Sequence, residues 1–159
     1  MSQQVQQTLL GRVPNKISKA FLPKNYSRHP VKGQVYPGII RTDESVPIRS
    51  NLTMAELENQ CVNGMILMDL DDNDMKIFDW FEDVEYERVI VPIYSIEGDD
   101  HKINLVDANV YVWVAGKSHL DLTSSWNYEH FISTKLDWYL QHTVIPCRRE
   151  IDRIGLDPL

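Results

Sequence analysis

In the run Phe78-Asp79-Trp80-Phe81-Glu82-Asp83-Val84-Glu85-Tyr86-Glu87-Arg88, acids are interleaved with large aromatic rings where a helical pattern gives way to a strand pattern. Glu82 follows two aromatic residues directly. A carboxylate pressed against apolar rings has its charged form disfavoured. Its pKa rises toward neutrality, which suits it to taking up and returning a proton. Glu82 is therefore the candidate catalytic residue. A plainer reading of the same acids is that they are solvated at a helix end or paired with Arg88, as most such acids are.

Other chemistries find no support in the residue pattern. Asp69-Leu70-Asp71-Asp72-Asn73-Asp74 starts like a calcium loop, but the sixth position, which should be Gly, is Asp74, and the twelfth, which should be Glu, is Trp80. Carboxylates at a helix start explain that run better. The five His are scattered, with no zinc spacing. There is no Walker loop, no dinucleotide fingerprint and no nucleophile elbow. Neither a metal nor a cofactor is expected. Cys61 and Cys147 sit in no recognisable pattern and read as free thiols.

Composition narrows the partners. The 159 residues suit about one domain, and a 43% hydrophobic share is that of a globular chain. A net charge of −7 without a basic stripe argues against nucleic acid. The longest apolar stretches, at 89–94 and 110–114, are strand-length, so no membrane span is expected. The first residues lack the pattern of a signal peptide, which points to the cytoplasm and makes the sequons at Asn25 and Asn51 silent.

The elements that must position Glu82 can be read along the chain. Residues 1–10 suit a short helix ended by Gly11. Extended pieces follow from 19 to 40, broken at Pro23, at Pro30-Val31-Lys32-Gly33 and at Pro37-Gly38. A polar loop is expected over 42–47, then a short helix or irregular cover around Leu52, Met54, Ala55 and Leu57. A strand over 62–70 leads to Asp72, the expected N-cap of a helix that carries Met75, Phe78 and Phe81 and ends near Glu82. Strands follow over 89–95 and 104–114, joined by a turn at 97–100; Pro92 suggests an edge or a bulge in the first. A last helix runs from Ser125 or Asn127 to Gln141, and Pro146 bars its continuation. A single domain over 1–145 with a poorly specified tail over 146–159 results. This element order suits an α+β fold with a mostly antiparallel sheet or small barrel.

Several segments together resemble the gamma-glutamylcyclotransferase-like family, in particular its plant avirulence-induced branch. They are Leu9-Leu10-Gly11-Arg12-Val13-Pro14, Tyr26-Ser27-Arg28-His29-Pro30-Val31-Lys32-Gly33, Val35-Tyr36-Pro37-Gly38-Ile39-Ile40, Val62-Asn63-Gly64, the Glu82 run itself, Val110-Tyr111-Val112-Trp113 and Trp126-Asn127-Tyr128-Glu129-His130-Phe131. The resemblance implies a small mixed β-barrel with flanking helices and a catalytic acid at Glu82. It implies cyclisation of a γ-glutamyl group to 5-oxoproline with release of an amine or amino acid. By their places in the matching segments, Tyr36, Tyr86 and Tyr111 would line the pocket for a small γ-glutamyl substrate. Their plainer reading is core packing with a hydroxyl partner.

The family's first strand ends in a Tyr-Gly-Thr-Leu-type loop, and no such segment occurs here. The fold is therefore expected to lack its first strand, and unpaired edges of that kind invite homodimerisation. The missing loop keeps a second reading in play, a non-catalytic binding domain of the same fold.

Overall fold

The computed structural model describes residues 1–42 and 45–156. Its centre is a curled antiparallel sheet of order β4-β1-β5-β6. β1 (Ile17–Leu22) lies between β4 (Val62–Leu67) and β5 (Tyr86–Glu97), and β6 (Lys102–Trp113) pairs along the whole of β5. A hairpin of β2 (Tyr26–Pro30) and β3 (Pro37–Arg41) forms a second, two-stranded sheet. Helices flank these strands, as the α+β reading requires.

β5 extends past the expected 89–95 at both ends and β6 begins two residues before the expected 104, the pair running from Tyr86 opposite Trp113 to Glu97 opposite Lys102. Pairing continues past the β-branched cores because backbone hydrogen bonds extend the ladder over polar residues too. Pro92 sits where β5 has no partner on its β1 side, since that pairing involves only Tyr94 and Ser95. A residue without an N–H is tolerated there.

The chain opens with α1 (Gln3–Leu10), capped by the Ser2 hydroxyl and closed by Gly11 in the left-handed region at φ 72°. Val5 and Leu9 of α1 are buried in the main core. The element before β1 is thus a helix, and no Tyr-Gly-Thr-Leu strand is found among the described residues. α2 (Met54–Gln60) begins with a Thr53/Glu56 capping box. Of the loop expected over 42–47, residues 43 and 44 lie outside the described residues.

α3 (Asp72–Glu82) delivers Glu82. Its N-cap is Asp71, one residue before the expected Asp72. The Asp71 carboxylate accepts from the backbone N–H groups of Asn73 and Asp74, and Asp74 reaches back to the Asp71 N–H. Asp74 also pairs with Arg12, tying the helix start to the segment before β1. Ile77 and Phe78 bury the inner face.

The C-terminal third corrects two expectations. The single helix expected up to Gln141 is two: α4 (Tyr128–Thr134) and α5 (Leu136–Tyr139), broken at Lys135. A π-helical turn (Leu140–Val144) then leads directly into α6 (Ile145–Ile154). Pro146 does not stop the chain. It stands in the first turn of α6, where a missing N–H removes no intrahelical bond. The segment expected as a loose tail is therefore a helix for most of its length. Ile151 is fully buried, and Arg148 donates to the Leu9 carbonyl across the interface with α1. Val5, Leu9, Ile77, Phe78, Phe131, Leu136, Tyr139, Val144 and Ile151 form one core cluster.

Candidate active site

α3 ends at Glu82, and the next residue is bent. Asp83 has φ 54° and ψ −162°, a left-handed region backbone on a non-glycine residue. Such conformations cost on the order of 1–3 kcal/mol and are held only where the surroundings over-determine them. The Asp83 carboxylate steadies the bend by accepting from the Val84 N–H at 2.7 Å. A 3-10 turn (Asp83–Glu85) then starts β5. The junction leaves Glu82 on the wall of a cavity of about 770 Å³.

Tyr36, Tyr86 and Tyr111 line the same cavity, so all four sequence-derived candidates meet there. Burial is the main reason the Glu82 carboxyl is pushed up from 4.5 to about 7; the nearby Met1 α-amino group pulls the other way. The carboxyl takes no hydrogen bond and no ion pair among the described residues. In particular, Arg88 does not neutralise it: that guanidinium binds Asp79 at 2.9 Å.

The three tyrosines differ in what their hydroxyls do. Tyr36 donates to Glu85 at 3.3 Å, and burial with the adjacent carboxylate pushes it up to about 12. Tyr86 donates to the Pro37 carbonyl at 2.8 Å, and its ring stands edge-on to Trp113 with centroids 5.2 Å apart. Tyr111 donates to Asp79 at 2.7 Å. Burial raises the pKa of both Tyr86 and Tyr111, and the negative charge of Glu82 adds to each. Each hydroxyl is already committed, as the packing reading of these residues would have it, yet each ring also walls the cavity.

The pattern reading missed two cavity residues. Tyr139 appeared only as part of the apolar side of the last helix. It lines the cavity, and its pKa is raised by burial first and by Glu82 second. It is the tyrosine of the four whose hydroxyl has no hydrogen-bond partner among the described residues. The π turn that follows it moves the helix out of its regular spacing, a feature often found at functional sites. Arg28 carried no signal beyond its place in a matching segment. Its half-buried guanidinium lines the cavity, held by Asn63 and the Trp126 ring. No spacing rule identifies either residue, because the partners come from distant segments.

Among the described residues no three His, Cys, Asp or Glu side chains are grouped so that they could hold a metal ion. No helix among them is long and apolar enough to cross a membrane. Cys61 and Cys147 are free, half-buried thiols.

The family model described as gamma-glutamyl cyclotransferase, AIG2-like, matches residues 1–130. The chain belongs to that family. AIG2-like protein D of Arabidopsis thaliana is 33% identical over 143 residues, which cover 90% of this chain and 80% of that protein. AIG2-like protein C of Arabidopsis thaliana is 29% identical over 123 residues, covering 77% of this chain and 59% of the relative. The fold is also that of two solution structures of Arabidopsis thaliana proteins. Each has a TM-score of 0.56 at 21% identity over 99% of this chain, and 79% and 88% of those chains are covered. The AIG2-like match ends at residue 130, so Tyr139 and the buried face of α6 lie beyond it, although the structure packs both against the matched part.

Proposed function

We propose that this AIG2-like domain is a gamma-glutamylcyclotransferase whose general base is Glu82. The observation that carries the reading is the Glu82 carboxyl itself: desolvated, unpaired, set on a cavity wall, and titrating near neutrality. A base with such a pKa is matched to proton transfer at physiological pH, an effect typically worth about 10²–10⁴-fold.

In this reading the free α-amine of a γ-glutamyl group attacks its own γ-carbonyl carbon. The new C–N bond closes a five-membered ring as Glu82 takes a proton from the attacking nitrogen. The C–N bond to the departing amine then breaks, and Glu82 returns the proton to that nitrogen. The products are 5-oxoproline and a free amine or amino acid. Nucleophile and electrophile belong to one molecule, so holding it in the right conformation supplies much of the acceleration. The rings of Tyr36, Tyr86 and Tyr111 shape the cavity and keep the carboxyl dry. Tyr139, with its uncommitted hydroxyl, donates to the carbonyl oxygen as negative charge builds there, the part a backbone loop would otherwise play.

Incubation with γ-glutamyl peptides and γ-glutamylamines, followed by assay of 5-oxoproline, tests the proposal. Product from the wild-type chain and none from Glu82→Gln is the expected result. No product from the wild-type chain on any of these compounds would leave the binding-domain reading in its place.

A further inference from the structure

We infer that Arg28 is the residue by which the Glu82 cavity recognises a ligand carboxylate. The inference rests on the reading above and adds to it the group that selects the head of the substrate, a free α-carboxylate.

Arg28 lies on β2, and its guanidinium is fixed from two sides. Nη1 donates to the Asn63 carbonyl at 3.2 Å and Nη2 to Asn63 Oδ1 at 3.1 Å, both on β4. The guanidinium carbon stands 5.3 Å from the centroid of the Trp126 ring. Trp126 is itself held, donating from Nε1 to the Val35 carbonyl at 3.0 Å. A planar fork so constrained loses little freedom when a ligand binds.

None of these partners carries a negative charge. Among the described residues no carboxylate lies within salt-bridge distance of Arg28, so the cation is half-buried and uncompensated. Arginine carries five N–H donors, and the contacts with Asn63 account for two of them. A buried cation without a counterion is costly, and an incoming carboxylate removes that cost while gaining charge-assisted hydrogen bonds. Glu82 supplies the complementary charge elsewhere on the cavity wall. Arg28 and Glu82 line one and the same cavity, so a ligand bound there meets a cation and a carboxyl together. An α-amino acid head, with amine and carboxylate on one carbon, has that charge pattern.

The test uses the full chain with 5-oxoproline and its carboxamide as probes. Neither contains a γ-amide to cleave, so the result does not depend on turnover. NMR titration of the wild-type protein is expected to show 5-oxoproline binding roughly ten- to hundredfold tighter than the carboxamide. The Arg28 Nε–H resonance should move with the first probe only. Arg28→Met should abolish the preference and Arg28→Lys should retain part of it, whereas a merely structural role would weaken both probes alike. Equal binding of the two, no binding of either, or a preference that survives in Arg28→Met would overturn the inference. A preference without 5-oxoproline formation from γ-glutamyl peptides would remove the cyclotransferase and leave Arg28 standing; formation without a preference would do the reverse.

Discussion

The ring of Tyr139 stands edge-on to that of Phe81, with centroids 6.5 Å apart at an interplanar angle of 73°. Phe81 precedes Glu82, so this contact joins the C-terminal helices to the end of α3 that presents the carboxyl. The Tyr139 ring also meets Phe131 edge-on at 5.5 Å and Tyr36 at 6.1 Å. Ring and hydroxyl are therefore separable by mutation. Tyr139→Phe keeps the packing, so thermal stability should change little, while 5-oxoproline formation should fall roughly 10²-fold if the hydroxyl serves the developing oxyanion. Tyr139→Ala removes the ring from the core and should destabilise by about 3–5 kcal/mol in a denaturant titration.

Glu82 should set both an activity profile and a stability profile in pH. The base must be ionised to accept a proton, so kcat/KM should rise through about pH 7 and level off above it. Stability runs the opposite way. The folded carboxyl titrates at about 7 and the unfolded one near 4.5. Below the lower value both states are protonated and the site has no effect. Between the two values the unfolded state loses its proton first, and above 7 the destabilisation is complete, at roughly 3 kcal/mol. Glu82→Gln should therefore melt higher than wild type at pH 8 and at the same temperature at pH 4. Equal melting at both values would mean that the carboxyl is not desolvated.

Much of this arrangement was legible in the residue pattern because it is local. The aromatic residues before Glu82 lie within one turn of it, the start of α3 falls within one residue of its expected place, and the β-branched run in β6 declares a strand by itself. What failed was non-local. Pro146 looked like a stop because proline breaks a helix interior, but the π turn before it resets the helix so that the proline falls in a first turn. The polar residues of α6 hid Ile151, whose burial depends on α1 arriving from the other end of the chain. Tyr139 and Arg28 became site residues only through partners distant in sequence, Phe81 of α3 in the first case and Asn63 of β4 with Trp126 in the second.

The C-terminal helix should prove integral to the domain. Ile151 has no exposed surface and belongs to the cluster that also holds Val5, Leu9 and Phe78. Ile151→Ala leaves a cavity there and should cost about 2–5 kcal/mol, whereas Arg149→Ala, on the exposed face, should fall within about 0.5 kcal/mol of wild type. A chemical denaturation series distinguishes the two. An Ile151→Ala midpoint equal to that of wild type would return 146–156 to the status of a tail.

Gly38 offers a test of how closely the hairpin packs behind the site. It lies on β3 next to Pro37, whose carbonyl accepts from Tyr86. A Cβ built there would lie 3.0 Å from Leu120 Cδ2 and 3.1 Å from Trp113 Cβ and Cγ. Leu120 is itself buried in the same core cluster, and Trp113 is buried, packed edge-on to Tyr86 and anchored through Nε1 to the Gly116 carbonyl at 2.9 Å. Adding a methyl group should therefore push β3 away from β6, and overpacking of this kind typically costs about 1–3 kcal/mol. Because the shift passes through Pro37 to Tyr86, Gly38→Ala should also raise KM for a γ-glutamyl substrate while leaving the Glu82 titration in place. Arg149→Ala is the control: that side chain is exposed on α6 and does not line the cavity, so KM should not move.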